Sequence, residues 1–392
     1  MSYKIVILDY ILSENLPQYI TKIEKVEGLD SQEKLDLQEV TGRYDFRTNT
    51  YYLKLIDWQD PDDPIRRIII PSFDELEKWG DLDISQEHKY TKVPGLEHKY
   101  QYTALLLVND VCGGYCRFCF RKRLFMQLND EVARDVSEGI EYIRENQEIN
   151  NVLLTGGDPL VMSTAKLWKI ISALRKIDHV RIIRIGSKIP AFNPFRILED
   201  PSLLELFEEF SQDGRKIYLM AHFNHPRELT PEALQAMDLI LRSGVVAVNQ
   251  TPLLRGVNDC PEVLAELFNK LSYAGIPPYY VFQCRPTAGN KMFAVPIEEG
   301  LEIFEQARMK CSGLAKRARY VMSHAVGKIE VLGLTGDFIY FKHLRAANPE
   351  EKARFFVCHR NPDAYWLDDY EDFVDEFMLD NPFWIPEYSE AY

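Results

Sequence analysis

No apolar run in the chain approaches the roughly 20 residues that a membrane span requires. No basic stripe runs through it either. Its 46 Lys and Arg face 60 Asp and Glu, a formal net charge of −14 that argues against a nucleic-acid partner. Its seven cysteines show no paired framework, which points to a reducing compartment rather than a disulfide scaffold. The short apolar run within Met1–Asp9 is interrupted by charge, and no small-residue cleavage site follows it. These absences set the expectation of a cytoplasmic protein that acts on neither nucleic acid nor membrane. What remains is 392 residues, 46% of them hydrophobic, enough for one large core with appendages.

A further absence carries more information. Cys112, Cys116 and Cys119 stand at a CxxxCxxC spacing behind the apolar run 103–109, and the next cysteine is Cys260. Three thiolates on a loop opened by Gly113 and Gly114 can take three corners of an iron–sulfur cube and leave the fourth iron without a protein ligand. A pure electron carrier would supply a fourth cysteine nearby. A zinc site would read as CxxC with a second distant pair, which the chain lacks. The basic run Arg117 to Arg123 surrounds these cysteines and is expected to serve anionic ligands there.

From residue 103 short β-rich runs alternate with segments of helical period. Strands are expected at 104–109, 151–155, 181–186, 217–222, 245–250 and 279–284. Helices are expected over 164–174, 201–210, 230–241 and 261–271, several opened by Ser, Thr or Asp with a following Pro. Six strand–helix units imply an α/β chain: a partial (β/α)6 TIM-type barrel with right-handed crossovers. Residues 1–100 read as a mixed, mainly helical segment, 101–335 as the barrel and 336–392 as a C-terminal extension. In such barrels chemistry gathers at the carboxyl ends of the strands. The polar motifs Thr155-Gly-Gly-Asp-Pro159, Arg184-Ile-Gly-Ser187, His222-Phe-Asn-His225, Asn249-Gln-Thr-Pro252 and Gln283-Cys-Arg285 all fall near expected ends. Gly156, Gly157, Asp158, Ser187, His222 and Gln250 are therefore the candidate cofactor-binding residues. The glycines also fit a plain tight turn, His222 and His225 also fit packing roles, and Cys284 and Cys311 read as buried small hydrophobes.

The cysteine spacing, with an aromatic just before Cys119, resembles the radical SAM superfamily. There the open iron binds S-adenosylmethionine, and one electron splits it to methionine and a 5′-deoxyadenosyl radical. The resemblance extends to one family. Cys112 to Arg123, Thr155-Gly-Gly-Asp-Pro, Arg184-Ile-Gly-Ser, His222-Phe-Asn-His-Pro226, the decapeptide Gln250–Asp259, Tyr279-Tyr280 with Gln283-Cys284, and Gly327-Lys328-Ile329 stand in the order of the lysine 2,3-aminomutases. That resemblance implies a [4Fe–4S] cluster on Cys112, Cys116 and Cys119, S-adenosylmethionine, and pyridoxal 5′-phosphate held as a Schiff base on Lys328. It implies that Arg121 binds the carboxylate of a small amino acid substrate, and that a reductant such as flavodoxin or ferredoxin feeds the cluster.

Three departures qualify it. The positions of the two aspartates that hold the distal ammonium in lysine-specific members are Arg285 and Val321 here, so a substrate other than lysine is expected, with Arg285 as a substrate-binding residue. Thr103 stands where the family places an arginine near the pyridoxal phosphate group. Cys358 is the one cysteine past residue 312, so the family's intersubunit zinc site is incomplete, and a homo-oligomer stays open. Two readings compete: an aminomutase moving an amino group between Cα and Cβ, or a pyridoxal-independent radical enzyme on the same scaffold.

Overall fold

The computed structural model describes residues 16–126, 131–348, 350, 353–371 and 374. Met1–Asp9 and the aromatic tail Asn381–Trp384 lie outside these. Among the described residues no helix is long and apolar enough to cross a membrane.

Two short strands, β1 (Tyr19–Ile20) and β2 (Thr48–Asn49), pair with each other in the N-terminal segment. The remaining strands form one twelve-stranded sheet whose spatial order is the chain order. Its centre is β5 (Thr103–Asn109), β6 (Asn151–Gly156), β7 (Ile182–Ser187), β8 (Ile217–Ala221), β9 (Val246–Leu253), β10 (Pro278–Gln283) and β11 (Arg319–His324), each parallel to the next. The six expected strands are there to within a few residues, and β11 adds a seventh. Antiparallel β3 (Thr91–Val93) and β4 (Leu96–Tyr100) extend one edge. Antiparallel β12 (Gly327–Thr335), β13 (Phe338–Ala346) and β14 (Phe355–His359) extend the other.

The helices between strands follow the apolar period. Pro231–Arg242 shows why. The Thr230 hydroxyl accepts from Ala233 N–H at 3.1 Å, Pro231 opens the first turn, and Ala233, Ala236, Met237 and Ile240 lie buried along one face. The strands alternate in step. Val152, Leu154, Ile183, Ile185, Ile217 and Leu219 are fully buried in the cluster that the helices share, while the intervening Leu153, Thr155, Arg184 and Tyr218 are only half-buried on the opposite face.

That opposite face curls inward. β4 and β5 stand far from β11 and β13 in the sheet order, yet side chains bridge them. Lys99 Nζ donates to the His324 carbonyl at 2.6 Å, Tyr90 hydroxyl to the Ala325 carbonyl at 2.8 Å, and Arg345 donates to the Thr103 hydroxyl. Polar side chains thus close a barrel that strand pairing leaves split. The described part of the C-terminal segment packs on the same body: Trp366, Leu367 and Tyr370 are buried with β12 to β14.

Candidate active site

The three cysteines lie on the loop leaving β5, and the N-terminal segment holds that loop in place. Arg47 Nε donates to the Cys112 carbonyl at 2.8 Å, Tyr115 N–H to the Arg47 carbonyl at 2.9 Å, and Arg117 N–H to the Ile68 carbonyl at 2.9 Å. Burial pushes all three thiols up, Cys116 to about 12; Asp158 and the other two cysteines add to the effect at Cys112, and Lys188 eases it at Cys116. Three crowded thiols that resist ionising alone are a soft donor set suited to a cationic iron–sulfur group. Among the described residues no group of three or more His, Cys, Asp and Glu could hold a metal ion of its own. Cys284 and Cys311 are buried as expected, Cys358 is buried in β14, and Cys260 is exposed.

The turn after β6 is fastened beneath this loop. Gly156 has φ +108°, and a Cβ on Gly157 would lie 2.5 Å from the Val111 carbonyl oxygen, so neither position accepts a side chain without movement. Asp158 N–H donates to the Val111 carbonyl at 2.9 Å. Asp158 Oδ2 accepts from Ser187 Oγ at 3.0 Å, Lys188 N–H at 2.7 Å and Ile189 N–H at 3.1 Å. Burial lifts its carboxyl to about 6 against those bonds. Asp158 and Ser187 therefore tie the end of β6 to the end of β7. Lys188, which directly follows the Arg184-Ile-Gly-Ser187 motif, pairs with Glu228 and donates to the His222 carbonyl at 2.8 Å. Burial and Lys188 push the His222 ring down to about 4, which leaves it neutral. His225 caps a short turn by accepting from Arg227 N–H at 3.2 Å. Gln250 is half-buried on β9.

The basic run Arg117–Arg123, expected to serve anionic ligands, has carboxylate partners within the chain. Arg117 forms a two-point pair with Glu75 at 2.9 and 2.8 Å, and Lys122 lies 3.9 Å from the same carboxylate. Arg121 meets Glu87 at 3.1 and 3.0 Å, and Arg123 meets Glu87 at 2.7 Å. These glutamates come from the N-terminal segment, Glu75 and Glu87 each lying in a short helical turn. Nothing in their spacing announces them; only the fold brings them to the cysteine loop.

Arg121 also donates to the Thr155 hydroxyl at 2.9 Å and lies 3.7 Å from Glu97. Arg285 lies 3.8 Å from Glu87, donates to Ser85 Oγ at 2.7 Å and stacks 3.6 Å over the Phe120 ring. The two buried carboxylates divide one charge. Burial opposes ionising Glu87, but Arg121, Arg285 and Arg123 outweigh it and hold it well below the usual range; burial and Glu87 push Glu97 up to about 8.

Lys328 sits at the start of β12 with Nζ 4.2 Å over the Tyr280 ring and 4.7 Å over Phe282. No carboxylate pairs with it among the described residues. Burial drives its amine well below the ordinary lysine range, and Arg345, Arg184, Arg285 and Lys99 drive it further. Arg184 lies mid-strand and donates to Asn151 Oδ1 at 2.8 Å, so it stands deeper in the barrel than the strand-end motif reading expected. At Thr103 the structure brings a cation after all: the arginine reaching its hydroxyl is Arg345, from β13.

A curled parallel barrel with three cysteines on the exit loop of its first parallel strand is the layout of a radical SAM enzyme, and the Radical SAM superfamily model matches residues 106–268. A protein of Aquifex aeolicus (strain VF5), provisionally named an L-lysine 2,3-aminomutase, is 60% identical over 92% of this chain and 96% of its own length. The L-lysine 2,3-aminomutase of Clostridium subterminale is 39% identical over 76% of this chain and 71% of its own. The glutamate 2,3-aminomutase of Clostridioides difficile (strain 630) is 35% identical over 76% and 69%. The chain belongs to the lysine 2,3-aminomutase family of radical SAM enzymes. Membership makes it an isomerase of the aminomutase type, with a [4Fe–4S] cluster and S-adenosylmethionine as its cofactors.

Proposed function

We propose that the protein moves an amino group between Cα and Cβ of an amino acid whose side chain bears no positive charge, with pyridoxal 5′-phosphate anchored on Lys328. The observation that carries this reading is the setting of Lys328: an amine over the Tyr280 and Phe282 rings, paired across the strands with Arg345 and near Arg184, Arg285 and Lys99, with no carboxylate partner among the described residues. The bound cluster with S-adenosylmethionine supplies a hydrogen-abstracting radical, and the bound pyridoxal cofactor supplies a π system through which nitrogen can pass.

The chain's own residues prepare for both. Cys112, Cys116 and Cys119 present three sulfurs and leave one corner of a cube for a ligand that is not protein. Lys328, its amine held well below the ordinary lysine range by burial and by the neighbouring cations, is the more competent as a nucleophile toward an aldehyde. The Tyr280 and Phe282 rings lie against the amine and cover part of it. Arg121 is aimed by Glu87 and Thr155, and a guanidinium has five N–H donors, so it keeps capacity for a substrate carboxylate.

The substrate's side chain meets Arg285 and the apolar Val321 instead of acidic groups. A distal ammonium would add a cation to a region that already holds Arg285 and Lys99, where Glu87 is already engaged by Arg121, Arg123 and Arg285 and Glu97 is pushed up by burial. Among the curated relatives, names record both lysine and glutamate as substrates of 2,3-aminomutases. The test is anaerobic reconstitution with iron, sulfide, S-adenosylmethionine, pyridoxal 5′-phosphate and dithionite, then incubation with lysine, glutamate and neutral amino acids. Mass spectrometry of derivatised products is expected to show a β-amino acid from an acidic or neutral substrate. Lysine turned over in preference to the others would overturn the substrate assignment.

A further inference from the structure

Most of the buried cations around the cysteine loop have a carboxylate of their own. Arg117 and Lys122 share Glu75, Arg121 and Arg123 share Glu87, and Lys188 has Glu228. One group inside the barrel breaks this pattern. Lys99, Arg184, Lys328 and Arg345 form no ion pair among the described residues. They come from four elements: β4, β7, β12 and β13.

Their bonds are all to neutral acceptors. Arg184 Nε donates to the Asn151 side-chain oxygen at 2.8 Å, Lys99 Nζ to the His324 carbonyl at 2.6 Å, and Arg345 to the Thr103 hydroxyl. The Arg345 guanidinium also lies 4.3 Å over the Tyr100 ring. These contacts aim the cations without neutralising them. Lys328 and Arg345 are direct cross-strand partners on β12 and β13, so the two side chains start within a few ångströms of each other. Three cations without an ion pair, Lys99, Arg184 and Arg345, grouped around the Lys328 amine in a half-buried interior are unfavourable unless an anion joins them. A phosphate dianion fits that charge, and guanidinium forks fit its oxygens.

We infer that Arg345, supported by Arg184 and Lys99, is the receptor for the phosphate of the aldehyde cofactor carried on Lys328. The inference rests on the reading of Lys328 as the cofactor's anchor. It gives the C-terminal hairpin a task in the site: β13 reaches across the split in the barrel and delivers a cation to Thr103 on β5. Arg345 acts on the cofactor, not on the amino acid, so its removal weakens cofactor retention before it alters substrate preference.

The test titrates reconstituted protein with pyridoxal 5′-phosphate and with pyridoxal, following the visible absorbance of the lysine-bound aldehyde. The two ligands differ only in the phosphate. Wild-type protein is expected to favour the phosphorylated form strongly. Arg345→Gln is expected to cut that preference by about tenfold or more, the scale of a charge-assisted hydrogen bond. It should do so by weakening the phosphorylated ligand while pyridoxal affinity stays unchanged. Arg345→Lys should recover part of the preference. Should Arg345→Gln not fold, wild-type protein still decides: inorganic phosphate is expected to compete with pyridoxal 5′-phosphate and to leave pyridoxal binding untouched. If wild type captures neither aldehyde, the reading of Lys328 falls. If it captures both and neither Arg345→Gln nor inorganic phosphate changes the preference, Arg345 is not the receptor and the reading of Lys328 stands.

Discussion

Arg117 and Glu75 meet side-on, Nε to Oε1 at 2.9 Å and Nη2 to Oε2 at 2.8 Å, with the carboxylate wholly buried. The third nitrogen of Arg117 donates to the Asp45 carbonyl at 2.9 Å. One guanidinium thus fixes the stretch between Cys116 and Cys119 to two separate turns of the N-terminal segment. Removing one partner of a buried pair leaves the other charge without compensation, at a cost of about 3–5 kcal/mol.

Glu75→Gln is accordingly expected to lower the unfolding free energy by about 3 kcal/mol and to reduce the iron content of reconstituted protein. Denaturant unfolding and iron analysis check both. An unchanged midpoint together with full iron loading would mean that the pair is incidental to the loop.

Gly157→Ala tests the fastening of the turn after β6. The added Cβ would stand 2.5 Å from the Val111 carbonyl oxygen, so backbone must move, and Val111 adjoins Cys112. The variant is expected to fold with a loss of about 1–3 kcal/mol and to cleave S-adenosylmethionine at least tenfold more slowly. The measurement is 5′-deoxyadenosine formed under reducing conditions. Wild-type rates would show that the turn can shift without disturbing the cysteine loop.

The barrel and the cysteine loop were legible in the sequence because both depend on local pattern. Short apolar runs within 151–156 and 217–221 mark buried strands, and Cys112, Cys116 and Cys119 lie within eight residues of one another. The seventh parallel strand, β11, was not read. Its Val321 and Met322 are buried side by side, and its continuation turns straight into the β12 hairpin, so the strand–helix rhythm stops there. Glu75, Glu87 and Arg345 escaped for a different reason. Each matters through a partner tens to hundreds of residues away, and single-sequence spacing carries no record of such pairs. Thr103 and Arg345 are separated by 242 positions, yet the curl of the sheet makes them neighbours.

Lys328→Ala separates the two halves of the chemistry. Among the described residues no hydrogen bond, ion pair or ring contact joins Lys328 to the cysteine loop, so the reduced variant is expected to keep cleaving S-adenosylmethionine within about threefold of wild type, while amino-group transfer falls by at least about a thousandfold and the visible cofactor band disappears. Parallel assays of 5′-deoxyadenosine and β-amino acid check this. Retained transfer would remove Lys328 from the reaction.

Glu97 and Glu87 set the last expectation, a pH dependence. Glu97 is raised, by burial first and then by Glu87, from 4.5 to about 8. The folded chain therefore holds a proton that the unfolded chain releases. Its contribution to stability is complete below pH 4.5, declines as pH climbs towards 8 and is flat beyond. The slope approaches about 1.4 kcal/mol per pH unit where one proton separates the states. Glu87 is shifted the opposite way and stays ionised throughout, so it adds no slope there. Glu97→Gln should remove the decline, with the variant more stable than wild type by about 1 kcal/mol or more at pH 8. Urea unfolding at pH 5, 6.5 and 8 reads this out, and parallel profiles would show Glu97 ionised across the range. A functional consequence follows from Arg121. While Glu97 is protonated, Arg121 answers to one carboxylate, Glu87, and keeps charge for a substrate carboxylate. Above pH 8 a second anion beside it competes for that charge, so KM for the amino acid is expected to rise in wild type and to stay level in Glu97→Gln.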